Sequence, residues 1–101
     1  MAVDINVLAI VHNETEERFE AKLDSELAVV EYQRQGNTLF FTHTEVPIAF
    51  RGQGIAEKLA QHALDYARTH NLTVVPHCSF VAAYIRRHRA YQSLLQTRSY
   101  T

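Results

Sequence analysis

His43-Thr44-Glu45-Val46-Pro47-Ile48-Ala49-Phe50-Arg51-Gly52-Gln53-Gly54-Ile55-Ala56 decides how this chain folds. The residues leading into it, from Thr38 to Val46, are rich in β-branched and aromatic side chains and read as a strand closed by Pro47. From Ile55 the apolar period changes. Ile55, Leu59, Ala63 and Ala67 recur every four residues with Ala56, Ala60 and Leu64 beside them, and Glu57, Lys58, Gln61, Asp65 and Arg68 fill the other side. A strand therefore passes through a loop with two glycines straight into an amphipathic helix. Glycine lets the backbone approach a ligand, and the first amides of a helix have no acceptor within it. Those N–H groups and the positive end of the helix dipole face one point, a natural seat for a diphosphate. The plainer alternative is that Gly52 and Gly54 only permit the turn.

On the N-terminal side, the apolar run Ile5 to Val11 reads as a buried strand and Asn13-Glu14-Thr15-Glu16 as a polar turn. Arg18 to Leu23 alternates, with Phe19, Ala21 and Leu23 on one face, and predicts a half-buried strand. Glu26 to Arg34 predicts another, joined to Thr38–Val46 by a hairpin turn at Gln35-Gly36-Asn37. On the C-terminal side, Asn71 suits a left-handed helix cap. Leu72 to Val75 is a further strand, Ser79 opens a shorter helix reaching about His88, and Tyr91 to Leu95 forms a last turn. The order β-β-β-β-α-β-α predicts an α/β (α+β) fold. Its mixed sheet is mostly antiparallel, with a strand–helix–strand unit whose right-handed crossover makes the fifth strand parallel to the fourth. Residues 1–101 suit a single domain.

Composition narrows the setting. With one cysteine no internal disulfide forms, which fits a reducing, cytoplasmic environment. No apolar run reaches the ~20 residues of a membrane span, and the early residues carry Asp4 and no base, unlike a signal peptide. Residues 1–50 carry a charge of −6 and residues 51–101 carry +5. The basic half begins at the glycine loop, which favours an anionic ligand there, although acids decorating exposed strands explain the imbalance as well. The bases are few and scattered, so no nucleic-acid surface is expected. No metal site is expected either: His77 and Cys78 are neighbours on an extended segment and point apart, and His62 and His70 lack nearby ligands.

A glycine-loop signature and three further blocks carry a resemblance. Arg51-x-x-Gly54-x-Ala56 resembles the acyl-coenzyme A signature of the GNAT superfamily of N-acetyltransferases. His43-Thr44-x-Val46-Pro47, Val75-Pro76-x-Cys78-x-Phe80-Val81 and Tyr84-Ile85-x-Arg87-His88 add a likeness to its minimal members of about a hundred residues. The resemblance implies acetyl transfer from acetyl-coenzyme A to an amine. It implies that the amides of Gly52, Gln53, Gly54, Ile55 and Ala56 hold the diphosphate beside Arg51. The pantetheine arm would lie along Glu45 and Val46, where the fourth and fifth strands part. His43 and Cys78 would face the thioester, Tyr84 would protonate the leaving thiolate or only pack the last helix, and Arg86, Arg87, His88 and Arg89 would meet the 3′-phosphate of the coenzyme or form a solvated face.

Each residue also has a plainer role. His43, expected to share a strand face with Phe41 and Glu45, is either a hydrogen-bonded packing residue or, as a neutral imidazole, a proton acceptor. Glu45 is an exposed carboxylate or the base in its place. Cys78 is a small buried hydrophobe, a pocket lining, or a covalent acetyl acceptor at a helix start. The helices that usually separate the first two strands of such enzymes have no counterpart here. An open acceptor side follows, suited to a macromolecular amine such as a protein lysine or N-terminus. The alternative function is a coenzyme A-binding or protein-interaction module without transferase activity.

Overall fold

Turn chemistry and alternation set up the sheet. The computed structural model describes residues 2–95. Strands β1 (Val11–Asn13), β2 (Arg18–Leu23), β3 (Glu26–Gln35) and β4 (Thr38–Glu45) form an antiparallel meander. A 3-10 turn, Ile48–Phe50, leads to helix α1 (Ile55–Thr69). The chain then enters β5 (Thr73–Pro76), helix α2 (Ser79–Arg87) and a second 3-10 segment, Arg89–Leu94. The sheet order is β1-β2-β3-β4-β5, and β5 runs parallel to β4 from Thr38↔Thr73 to Phe41↔Pro76. The fold class and element order expected from the sequence are those observed.

One sheet face is covered by the helices. Ala21, Ala28, Val30, Leu39 and Phe41 of the sheet, and Leu59, Ala60, Leu64 and Ala67 of α1, have no exposed surface. Burying each larger apolar side chain contributes about 1.5–3 kcal/mol before entropy is charged against it. The helix ends as its sequence suggests: Asn71 takes φ 56° and the Leu72 amide reaches back to the Ala67 carbonyl at 2.8 Å. Among the described residues, no helix is long and apolar enough to cross a membrane.

Two expectations are corrected. The run Ile5–Val11 is not a buried strand. The Asn6 amide donates to the Asp4 carboxylate and the Val7 amide to the Asp4 carbonyl, which closes a turn. Strand β1 keeps only three residues at the sheet edge, and Val7 and Val11 are exposed. The Lys58 ammonium, reaching from α1, takes the carbonyls of Ile5 and Leu8 that a strand partner would have used. Apolar content alone could not reveal that competition.

The second correction concerns β4. Tyr32 stands opposite Phe41 but Glu31 stands opposite His43, so Thr42 is the extra residue of a β-bulge. The bulge breaks the alternation. Phe41 and Thr44 lie on the helix-covered face, opposite Tyr32 and Val30, whereas His43 and Glu45 lie on the open face. His43 therefore shares its face with Glu45 and not with Phe41.

His12 of β1 is packed among aromatic rings. It stacks on Phe19 (centroids 4.0 Å apart), meets Tyr66 edge-on at 4.4 Å, and its Nε2 lies 2.6 Å from the Tyr32 hydroxyl. Burial is the main cause that holds its pKa below 6.5; His70 adds to this and Glu14 opposes it. The unfolded chain thus takes up a proton that the folded chain resists. Stability should be full above pH 6.5 and fall as the pH drops below it. Urea unfolding at pH 7 and pH 5 should show a decline that His12→Gln reduces. Equal slopes for both proteins would rule out this origin. Glu20, whose carboxyl is lowered chiefly by its hydrogen bond to Arg18, acts only in the more acidic window below 4.5.

Candidate functional site

The site sits where β4 and β5 part. Their pairing ends at Phe41 and Pro76, and the Cys78 amide donates to the Phe41 carbonyl at 2.9 Å before the chain turns into α2. Strand β4 continues to Glu45 without β5 beside it. The opening leads to a cavity of about 420 Å³ whose walls are Thr44, Glu45 and Val46 of β4, Phe50, the loop from Arg51, and Phe80 of α2. That size lies within the usual range of small-molecule sites, roughly 300–1,000 Å³.

The glycine loop does what its residues allow. Gly52 (φ 83°) and Gly54 (φ 86°) both occupy the left-handed region, where an L side chain is strained. Gly54 is the residue before α1 and, being glycine, offers the helix N-terminus no side-chain cap. Ile55, Ala56 and Glu57, which open α1, line the cavity, and the first amides of a helix have no acceptor within it. Arg51 is tied to β4: its Nε donates to the Val46 carbonyl at 2.8 Å and one terminal nitrogen lies 3.3 Å from Glu45 Oε2. The guanidinium braces the loop as well as bringing positive charge to the wall. Glu57, exposed in the first helical turn, also borders the cavity and meets the same dipole that would attract an anion.

A family profile described as GCN5-related N-acetyl-transferase matches residues 18–94, from β2 to the end of the last 3-10 segment. The chain belongs to the GCN5-related N-acetyltransferase family. Protein NATD1 of Xenopus tropicalis is 32% identical over 90 residues, covering 86% of this chain and 83% of its own. Protein NATD1 of Homo sapiens is 31% identical, covering 86% and 80%. The solution structure of a GCN5-like protein from Staphylococcus aureus matches with a TM-score of 0.71 at 27% identity, covering 92% of each chain.

Membership in this GNAT family frames the remaining side chains. Glu45, Val46, Arg51, Gly52, Gly54, Ile55 and Ala56 converge on the main cavity, and Gln53 sits between the two glycines. His43 and Cys78 do not converge. The Cys78 thiol is buried on the helix side, 3.1 Å from the Thr44 hydroxyl, and is not among the lining residues. His43 is half-exposed on the open face, with Nε2 3.3 Å from Glu45 Oε1. Glu45 thereby joins His43, Arg51 and the cavity wall in one chain of contacts.

Tyr84 lines a second cavity, of about 320 Å³, together with Ile5, Asn6, Gly54, Glu57, Lys58 and Gln61; Gly54 and Glu57 belong to both cavities. Its ring stacks on His88 with centroids 3.9 Å apart, and the His88 Nδ1–H donates to the Tyr84 carbonyl at 2.8 Å. Burial chiefly raises the phenol pKa, with Asp65 and Glu57 adding and Arg87 opposing, so the hydroxyl keeps its proton near neutrality. Arg87 borders neither cavity and stands in the last turn of α2, where a cation complements the dipole. Among the described residues, no three His, Cys, Asp or Glu side chains group as metal ligands.

Reasoning from sequence missed several participants. Phe50 and Phe80 wall the cavity, Thr44 meets the thiol, and the N-terminal segment walls the second cavity. Phe80 stands within a block that carries the resemblance and could have been assigned. Thr44 could not, because the bulge that turns it inward has no local signature.

Proposed function

We propose that the protein transfers an acetyl group from acetyl-coenzyme A to an amine carried by a macromolecule. The observation that carries this reading is the uncapped start of α1, floored by two left-handed glycines and opening onto the cavity at the β4–β5 split. The donor set fits the coenzyme: backbone amides and a helix dipole for the diphosphate, and the stretch of β4 beyond its pairing with β5 for the amide-bearing arm, although Arg51 already holds the Val46 carbonyl. When bound, the coenzyme supplies an activated acyl carbon.

The chain's own residues have these tasks. The amides of Gly52 to Ala56 hold and orient the diphosphate, with Arg51 fixing the loop. Glu45, at the cavity wall, accepts the proton released as the amine nitrogen bonds to the acyl carbon, and His43 at 3.3 Å passes it to solvent. The C–S bond breaks as the C–N bond forms, and the departing sulfur takes its proton from solvent, because Tyr84 lines the second cavity and not the main one. Cys78, buried behind Thr44, supports the packing role over the acetyl-carrier role. The acceptor class follows from the open sheet face: only a turn joins β1 to β2, so nothing from that connection covers His43 and Glu45.

Titration with acetyl-coenzyme A should move the amide resonances of residues 51–57 saturably, and a lysine-peptide or N-terminal-peptide panel should then yield an acetylated product. No saturable change would sink the reading. Saturable binding without turnover on any acceptor would replace it with the coenzyme-binding module. Cys78→Ser should keep more than half of the activity, and mass spectrometry should find no acetyl adduct on the native thiol; a stable adduct lost in the variant would restore the covalent route.

A further inference from the structure

The segment before β1 lies against the candidate coenzyme loop. The Val3 amide donates to Gln53 Oε1 at 2.7 Å, fifty residues away in the chain. Lys58, one turn into α1, donates its ammonium to the carbonyls of Ile5 and Leu8, the latter at 2.8 Å. Ile5 and Asn6 face Gly54 and Glu57 across the second cavity. The segment has no sheet partner until Val11, so these contacts are what seat it there, along with half-buried Val3, Ile5, Leu8 and Ile10 packed on the core.

Gln53 is the side chain between two left-handed glycines. Glycine costs the most backbone entropy to order, so Gly52-Gln53-Gly54 is the part of the site least able to hold its own shape. A binding loop that must be ordered on contact loses affinity; one already ordered does not. We propose that residues 3–8 form a strap, anchored by Lys58, that pins Gln53 and presets the glycine loop for the coenzyme diphosphate. Lys58 is then a positioning residue that never touches the ligand. The proposal rests on the acetyl-coenzyme A reading for its consequence, though not for its geometry. Coupling between two sites is reciprocal, so coenzyme binding should also tighten the strap.

Lys58→Met keeps the apolar stem and removes the donor. Its KM for acetyl-coenzyme A should rise about fivefold to tenfold at unchanged kcat, and Lys58→Arg should return it to within about twofold, a split that general destabilisation would not produce. In the free protein, backbone order parameters at Gly52, Gln53 and Gly54 should drop from the rigid range near 0.85 toward 0.6 in Lys58→Met. Unchanged order parameters, or wild-type KM in Lys58→Met, would overturn the strap while leaving the site assignment intact. Absence of coenzyme binding to the wild type would overturn the site assignment, and the order parameters would still decide the strap.

Discussion

Gly54→Val should abolish measurable coenzyme binding while leaving a folded protein. At φ 86° a β-branched residue is strained, by about 1–2 kcal/mol, although a Cβ there would meet no neighbour. The relief is a rotation of the backbone, and that rotation turns the amides at the start of α1 away from the cavity. Losing two hydrogen bonds to a charged group, each contributing about 1.5–3 kcal/mol, weakens affinity by roughly 100-fold or more. Gly36→Val is the control. Gly36 also has positive φ, 61°, and open space around it, but it lies in the β3–β4 turn. It should lose similar stability in urea and keep wild-type affinity by calorimetry. Equal affinities for the two variants would remove the glycine loop from the site.

Phe41→Ala should be the most destabilising single truncation near the site. Phe41 has no exposed surface, packs edge-on against Tyr32 at 6.2 Å, and closes the last pair of the β4–β5 ladder. Truncating such a ring costs about 3–5 kcal/mol. Against a total stability of about 5–15 kcal/mol, that is a large share. The urea midpoint should fall accordingly, and the Cys78 thiol should become more reactive toward a thiol reagent, because both side chains belong to the same buried cluster. A loss under about 1.5 kcal/mol would show that the core can collapse around the vacancy.

The parts of this architecture that were legible are those written in local patterns. Arg18–Leu23 alternates so regularly that its strand bounds come out unchanged, and the four-residue recurrence from Ile55 marks α1 to within two residues. Asn71 announces its left-handed cap by residue type. The glycine loop was legible because a left-handed strand-to-helix turn calls for glycine at Gly52 and Gly54. What failed was set by distant partners. Ile5 and Leu8 look like a strand until Lys58, some fifty positions on, takes their carbonyls. Thr42 looks like any strand residue, yet as the bulge it decides that Thr44 rather than His43 meets Cys78. Sidedness in β4 depends on how two strands register, and a single strand's sequence does not contain that.

The parallel β4–β5 pairing bears on how the molecule assembles. Each antiparallel pair is joined by a turn of a few residues, but Thr38 and its partner Thr73 are separated in the chain by the rest of β4 and the whole of α1. Closing so long a loop must be offset by contacts made elsewhere first, so the hairpins and helix precede the final strand. The cleft between β4 and α2 is therefore completed late, and a nascent chain has hairpins before it has that cleft. Any ligand of that cleft would act on the finished fold alone and stabilise it by mass action.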